Sequence, residues 1–91
     1  MSVITRILWT PWARHHIWDR HKVDATEVEE ACFGEAYRFV GRDGCHTILG
    51  RTEAGRYLFI VIVSMSGGRA RVVTARDMDP IERRKWARKG K

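Results

Sequence analysis

The spacing of apolar residues changes twice along this chain, and each change marks a change of element. Val3 to Trp9 alternates loosely and reads as a short strand. Thr10-Pro11 then opens a helix running to His21. Threonine can cap free backbone N–H groups, and proline suits the first helical position because it has no N–H to leave unpaired. A second helix is marked more strongly. Asp24 precedes Glu27 at the reciprocal spacing of a capping box. Val28, Ala31 and Cys32 then form one apolar stripe, and Gly34 supplies a stop.

From Ala36 onward the pattern becomes that of strands. Ala36 to Val40, His46 to Arg51, Arg56 to Met65 and Arg69 to Arg76 are separated by Gly41-Arg42-Asp43-Gly44, Glu53-Ala54-Gly55 and Ser66-Gly67-Gly68. Short turns rich in glycine predict an antiparallel meander. Asp79-Pro80-Ile81-Glu82 again combines a cap, a proline and a capping-box glutamate. Arg83, Arg84, Lys85, Arg88, Lys89 and Lys91 follow, and cations suit the end of a helix. The expected fold is α+β in a single domain over 1–91. Two N-terminal helices pack on a four-stranded antiparallel meander, with a basic C-terminal helix.

The strand Arg56 to Met65 is apolar on both faces. Leu58, Ile60 and Ile62 point one way; Tyr57, Phe59, Val61 and Val63 point the other. Such a strand is normally buried on both sides. The first two helices can cover one face. The other falls to the last helix, to the first strand region, or to a partner protein or second copy.

Composition narrows the function. With Lys plus Arg at 17 and Asp plus Glu at 11, the formal net charge is +6, which favours polyanions, nucleic acid first. The two cysteines, Cys32 and Cys45, make no disulfide framework and no CxxC. Cys32 reads as a packed core thiol rather than a nucleophile or ligand. The first residues lack the pattern of a signal peptide, and the apolar run Tyr57 to Val63 is too short to span a bilayer. A cytoplasmic protein without a membrane association is the expectation.

Several blocks taken together resemble the BrnT-family toxins, a branch of the RelE/ParE-type fold. These are Trp9-Thr10-Pro11 with His21-x-Val23, and the capped helix from Asp24 to Ala31. They continue with Leu49-Gly50-Arg51-Thr52, then Gly55-Arg56-x-Leu58, and with Arg71 to Arg76 followed by Glu82-Arg83-Arg84. Three positions depart from the family: Lys22 stands where glycine is usual, Ile17 where asparagine is common, and Ala13 where lysine is frequent. The resemblance implies metal-independent cleavage of RNA, inhibition by a cognate antitoxin, and contact with operator DNA only through the antitoxin complex. It implies no cofactor.

Cutting RNA without a metal uses the neighbouring 2′-OH as nucleophile. A base must accept its proton, a cation must stabilise the phosphorane, and an acid should protonate the leaving oxygen. Arg76 and Arg71 are the candidates for the phosphorane, because a guanidinium holds two phosphate oxygens at once. By two-residue alternation Thr74 shares the face of Arg76, and Arg69 shares the opposite face with Arg71. His21 is the leading acid or base, against the alternative of a hydrogen-bonded histidine that closes the first helix. Arg51, Arg56, Arg69, Arg83 and Arg84 extend a basic surface for RNA, or are solvated charges. Trp12 and Trp18 are candidate antitoxin anchors, since tryptophan is favoured at interface hot spots. No ligand spacing suggests a metal site. Two other readings compete with the ribonuclease: a non-catalytic binding module of the same fold, and a nucleic-acid accessory acting through the tail from Arg83 to Lys91.

Overall fold

The computed structural model describes residues 4–89; Val3, expected in the first strand, and Lys91, expected among the cations at the end of the last helix, lie outside them. The order is β1 (Arg6–Leu8), α1 (Pro11–His21), α2 (Ala25–Phe33), β2 (Ala36–Val40), β3 (Cys45–Arg51), β4 (Tyr57–Ser64), β5 (Arg69–Asp77) and α3 (Pro80–Lys89). The helix starts are the ones the sequence marks. The Thr10 hydroxyl accepts from Ala13 N at 3.1 Å. Asp24 and Glu27 exchange backbone and carboxylate bonds at 2.9 and 3.1 Å. Asp79 and Glu82 do the same at 2.7 and 2.9 Å.

The sheet corrects the expected four-stranded, wholly antiparallel meander. It has five strands in the order β1-β5-β4-β3-β2. β2 to β5 pair antiparallel, whereas β1 joins at the edge, parallel to β5, with Arg6 beside Arg69 and Leu8 beside Arg71. A parallel pair cannot close through a hairpin and needs a crossover. Here everything from α1 to β4 is that crossover, so the two helices follow a strand rather than open the fold.

α1 and α2 cover one face, which we call the inner face. Leu58, Ile60 and Ile62 of β4 are fully buried there against Ile17, Val23, Val28 and Ala31. α2 crosses β3 so closely that a Cβ on Gly50 would stand 2.5 Å from the Ala31 carbonyl oxygen, so no larger residue fits. Cys32 packs against this core. Burial, with a smaller push from Glu29, raises its thiol to about 12, so it stays neutral and a poor nucleophile. Ala13 and Ile17, two of the departures from the family pattern, are the buried residues of α1. In this chain they pack. Lys22, the third, closes α1 with φ 52° and ψ 41°, a left-handed conformation in which glycine is unstrained.

The other face of the sheet, the outer face, is covered by α3 over part of its width. Trp86 sets its ring edge against Tyr57 and Tyr37, at centroid distances of 5.3 and 6.2 Å. Leu49 is buried on this face. Ile81 of α3 points out and is 67% exposed. Beyond the reach of α3, Val61 and Val63 remain half-buried.

Candidate nucleic-acid interface

A β-bulge decides which arginines meet. Ile62 pairs with Val72, but Val61 pairs with Thr74, so Val73 is an extra residue on β5. One inserted residue resets the alternation of everything after it. Ala70, Val72 and Ala75 all point into the inner core. Arg71, Thr74 and Arg76 therefore all lie on the outer face, opposite Val63, Val61 and Phe59 respectively. The expectation that Arg69 and Arg71 oppose Thr74 and Arg76 is corrected by this bulge. Uniform alternation cannot register an inserted residue.

The parallel edge adds a cation that the sequence reading missed. Arg6 of β1 lies beside Arg69 of β5, and partners in register project to the same side of a sheet. Like charges placed side by side are unfavourable unless an anion joins them. Arg69 donates to the Ser66 carbonyl and hydroxyl at 2.9 and 3.3 Å and has no ion-pair partner among the described residues. Neither Arg6 nor Arg71 has an ion-pair partner among the described residues. No local signal identifies Arg6, because only the crossover brings it to β5.

Further along the outer face the cations rest on aromatic rings. Arg76 lies 3.9 Å over Phe59, Arg51 and Arg83 sit 5.3 and 4.3 Å from the Tyr57 centroid, and Lys85 stands 4.2 Å from Phe39. Arg76 is also engaged by a carboxylate, with two bonds of 2.9 Å to Glu82. Hydrogen bonding to Glu82 holds its guanidinium more firmly charged. By strand rise, the Arg71 and Arg76 backbones are about 13 Å apart. Arg84 is on the outward side of α3 with Ile81, Ala87 and Arg88.

Two candidates are elsewhere. Arg56 reaches under the inner face. It donates to both Asp77 oxygens at 2.7 and 3.1 Å, to the Lys22 and His21 carbonyls at 2.7 and 3.1 Å, and to Glu27 Oε1 at 3.1 Å. This ties the end of α1, the start of α2 and the end of β5 together. The bond from Arg56 holds the Asp77 carboxyl below the usual carboxylate range. His21 lies on the helix side, its ring edge-to-face with His16 at 5.8 Å. The structure thus does not bring His21 together with Arg71 and Thr74.

Trp12 and Trp18 project from α1, 66% and 51% exposed. Trp12 stacks flat on His16, with centroids 4.7 Å apart. Trp18 lines a cleft of about 540 Å³ with Trp9, Pro11, Arg14, His15, Asp24 and Ala25. The Trp9 indole is fixed there by donating to Glu29 at 2.9 Å. Among the described residues, no cluster of three or more His, Cys, Asp and Glu could hold a metal ion. No helix there is long and apolar enough to cross a membrane.

The fold is similar to that of the Brucella abortus ribonuclease toxin BrnT in its crystal structure. The TM-score is 0.69 at 14% sequence identity, and the match covers 82% of this chain and 97% of that one. No family model matches the chain, and no curated protein matches it by sequence.

Proposed function

We propose that this BrnT-like fold serves as the toxin of a toxin–antitoxin pair and cleaves RNA without a metal, in the cytoplasm. The observation that supports the reading is the edge where Arg6, Arg69 and Arg71 stand together with no ion-pair partner among the described residues, continuous with Thr74 and Arg76 on one sheet face. Such an arrangement is electrostatically unfavourable by itself and is relieved by a polyanion. The likeness to a ribonuclease toxin supports RNA as that polyanion.

On this reading Arg71 and Arg76 approach the scissile phosphate and stabilise the charge of the phosphorane, with Thr74 donating from between them. Arg51, Arg83 and Arg84 guide the flanking strand. Arg56 holds the helices to the sheet instead. The exposed indoles of Trp12 and Trp18 serve a cognate antitoxin, and operator DNA is reached only through that complex. Incubation of a labelled single-stranded RNA with the protein in chelator tests this. Cleavage is expected, and Arg71→Ala should slow it by about 10²–10³-fold. RNA left intact at all protein concentrations overturns it.

One observation favours a second reading, a binding module that arrests its target without cutting. His21, the expected acid or base, lies across the sheet from the arginines. Growth arrest with intact cellular RNA would select that reading.

A further inference from the structure

We propose that the Glu82 carboxylate occupies a phosphate-binding subsite on this face, and that a phosphodiester group of RNA takes its place. The inference rests on the RNA-binding reading above. Arg76 Nη1 donates to Glu82 Oε1 and Nη2 to Glu82 Oε2, each at 2.9 Å. Parallel bonds to two oxygens are the geometry in which a guanidinium receives either a carboxylate or a phosphate. The fork is also fixed without Glu82. Its carbon lies 3.9 Å from the Phe59 centroid, and Nη1 donates to the Asp77 carbonyl at 3.0 Å. Arg76 is 36% exposed even with the carboxylate in place, and removing that carboxylate would leave a pre-positioned anion receptor.

Glu82 has a second duty. Its Oε1 accepts from Asp79 N at 2.9 Å and so caps α3. The first turn of α3 is therefore carried on Arg76. The rest of the helix is lightly held: none of its residues is buried, and Trp86 adds ring contacts and one 3.3 Å bond from Nε1 to the Glu35 carbonyl. α3 bears Arg83, Arg84, Lys85, Arg88 and Lys89. When a phosphate replaces Glu82, one charge-assisted pair is exchanged for another. The polyanion gains the neighbouring cations of β5 and α3 in addition. Glu82 thus sets a threshold: an isolated anion gains little by displacing it, whereas a strand that also reaches Arg71 gains more.

Fluorescence anisotropy of a labelled single-stranded oligoribonucleotide, titrated with the full chain at several salt concentrations, tests the subsite. Glu82→Gln keeps a capping-box residue at its position and removes the charge. It should lower Kd roughly three- to tenfold at low salt and steepen the log–log salt slope by about one. The gain should vanish in the Arg76→Ala/Glu82→Gln double variant. Unchanged or weaker binding by Glu82→Gln overturns the subsite, and so does a gain that survives in the double variant. Arg71→Ala separates the two levels of the argument. If it binds like the wild type, the RNA surface itself falls and the subsite with it. If it weakens binding while Glu82→Gln brings no gain, only the subsite falls. A measurement on the unaltered protein guards against misfolded variants: RNA should shift the NMR signal of the Arg76 Nε–H and leave that of Arg56 in place. An unmoved Arg76 signal at saturating RNA overturns the proposal.

Discussion

The two faces of β4 are built from alternate residues of one strand and differ in nearly every physical respect. On the inner face Leu58, Ile60 and Ile62 are fully buried beneath two helices, and Arg56 closes the rim with bonds to two carboxylates and two carbonyls. On the outer face Tyr57, Phe59, Val61 and Val63 are half-buried, the one helix there, α3, has no buried residue, and Arg76 has one carboxylate. One face has its apolar groups sealed and its rim arginine held by several partners. The other leaves cations in excess and apolar floor partly open. Stability is concentrated on the first, and binding capacity on the second.

Matched substitutions break or sharpen this contrast. Ile60→Ala should destabilise by about 2–5 kcal/mol through lost burial and a residual cavity, whereas Val61→Ala beside it should cost less than about 1 kcal/mol. Urea denaturation measures both, and equal losses would erase the distinction. Arg56→Ala should cost about 1.5–3 kcal/mol, because it leaves Asp77 and the carbonyls without their charged donor. The same pair predicts a pH dependence. The folded Asp77 carboxyl lies below its unfolded value. Its contribution is therefore complete above the ordinary carboxylate range and is lost as pH falls through the lowered value. Melting temperature followed below pH of about 4 should show a shallower acid decline in Arg56→Ala than in the wild type. Lys22→Gly has the smallest effect and the opposite sign, a gain of about 1 kcal/mol from relief of the left-handed backbone. An unchanged or lowered denaturation midpoint would show that Lys22 carries a compensating contact, such as its approach to Trp18 at 5.5 Å.

Much of the fold is legible locally. The caps at Thr10, Asp24 and Asp79 place all three helix starts, and glycine-bearing turns separate β2 to β5. What is not legible is non-local. Parallel pairing of β1 with β5 depends on a crossover, which leaves no signal in either segment. Val73 sits in the apolar pair Val72-Val73, where a strand and a bulged strand read alike. That one residue moved Arg71 to the side of Thr74 and Arg76, so the candidate site became more coherent than alternation alone implies. Arg56 could not be told from its neighbours, because its partners come from α1, α2 and β5. Lys22 was visible as an anomaly, and its reason appears only in the backbone angles.

The parallel edge has a consequence for the birth of the molecule. Thr5 and Gly68, whose backbone bond starts this pairing, are 63 positions apart. A polypeptide leaving the ribosome presents Arg6 well before its neighbours Arg69 and Arg71. The cationic rim therefore cannot assemble on a partial product. Whatever this rim grips, the machinery translating it meets no assembled rim until Arg71 has emerged.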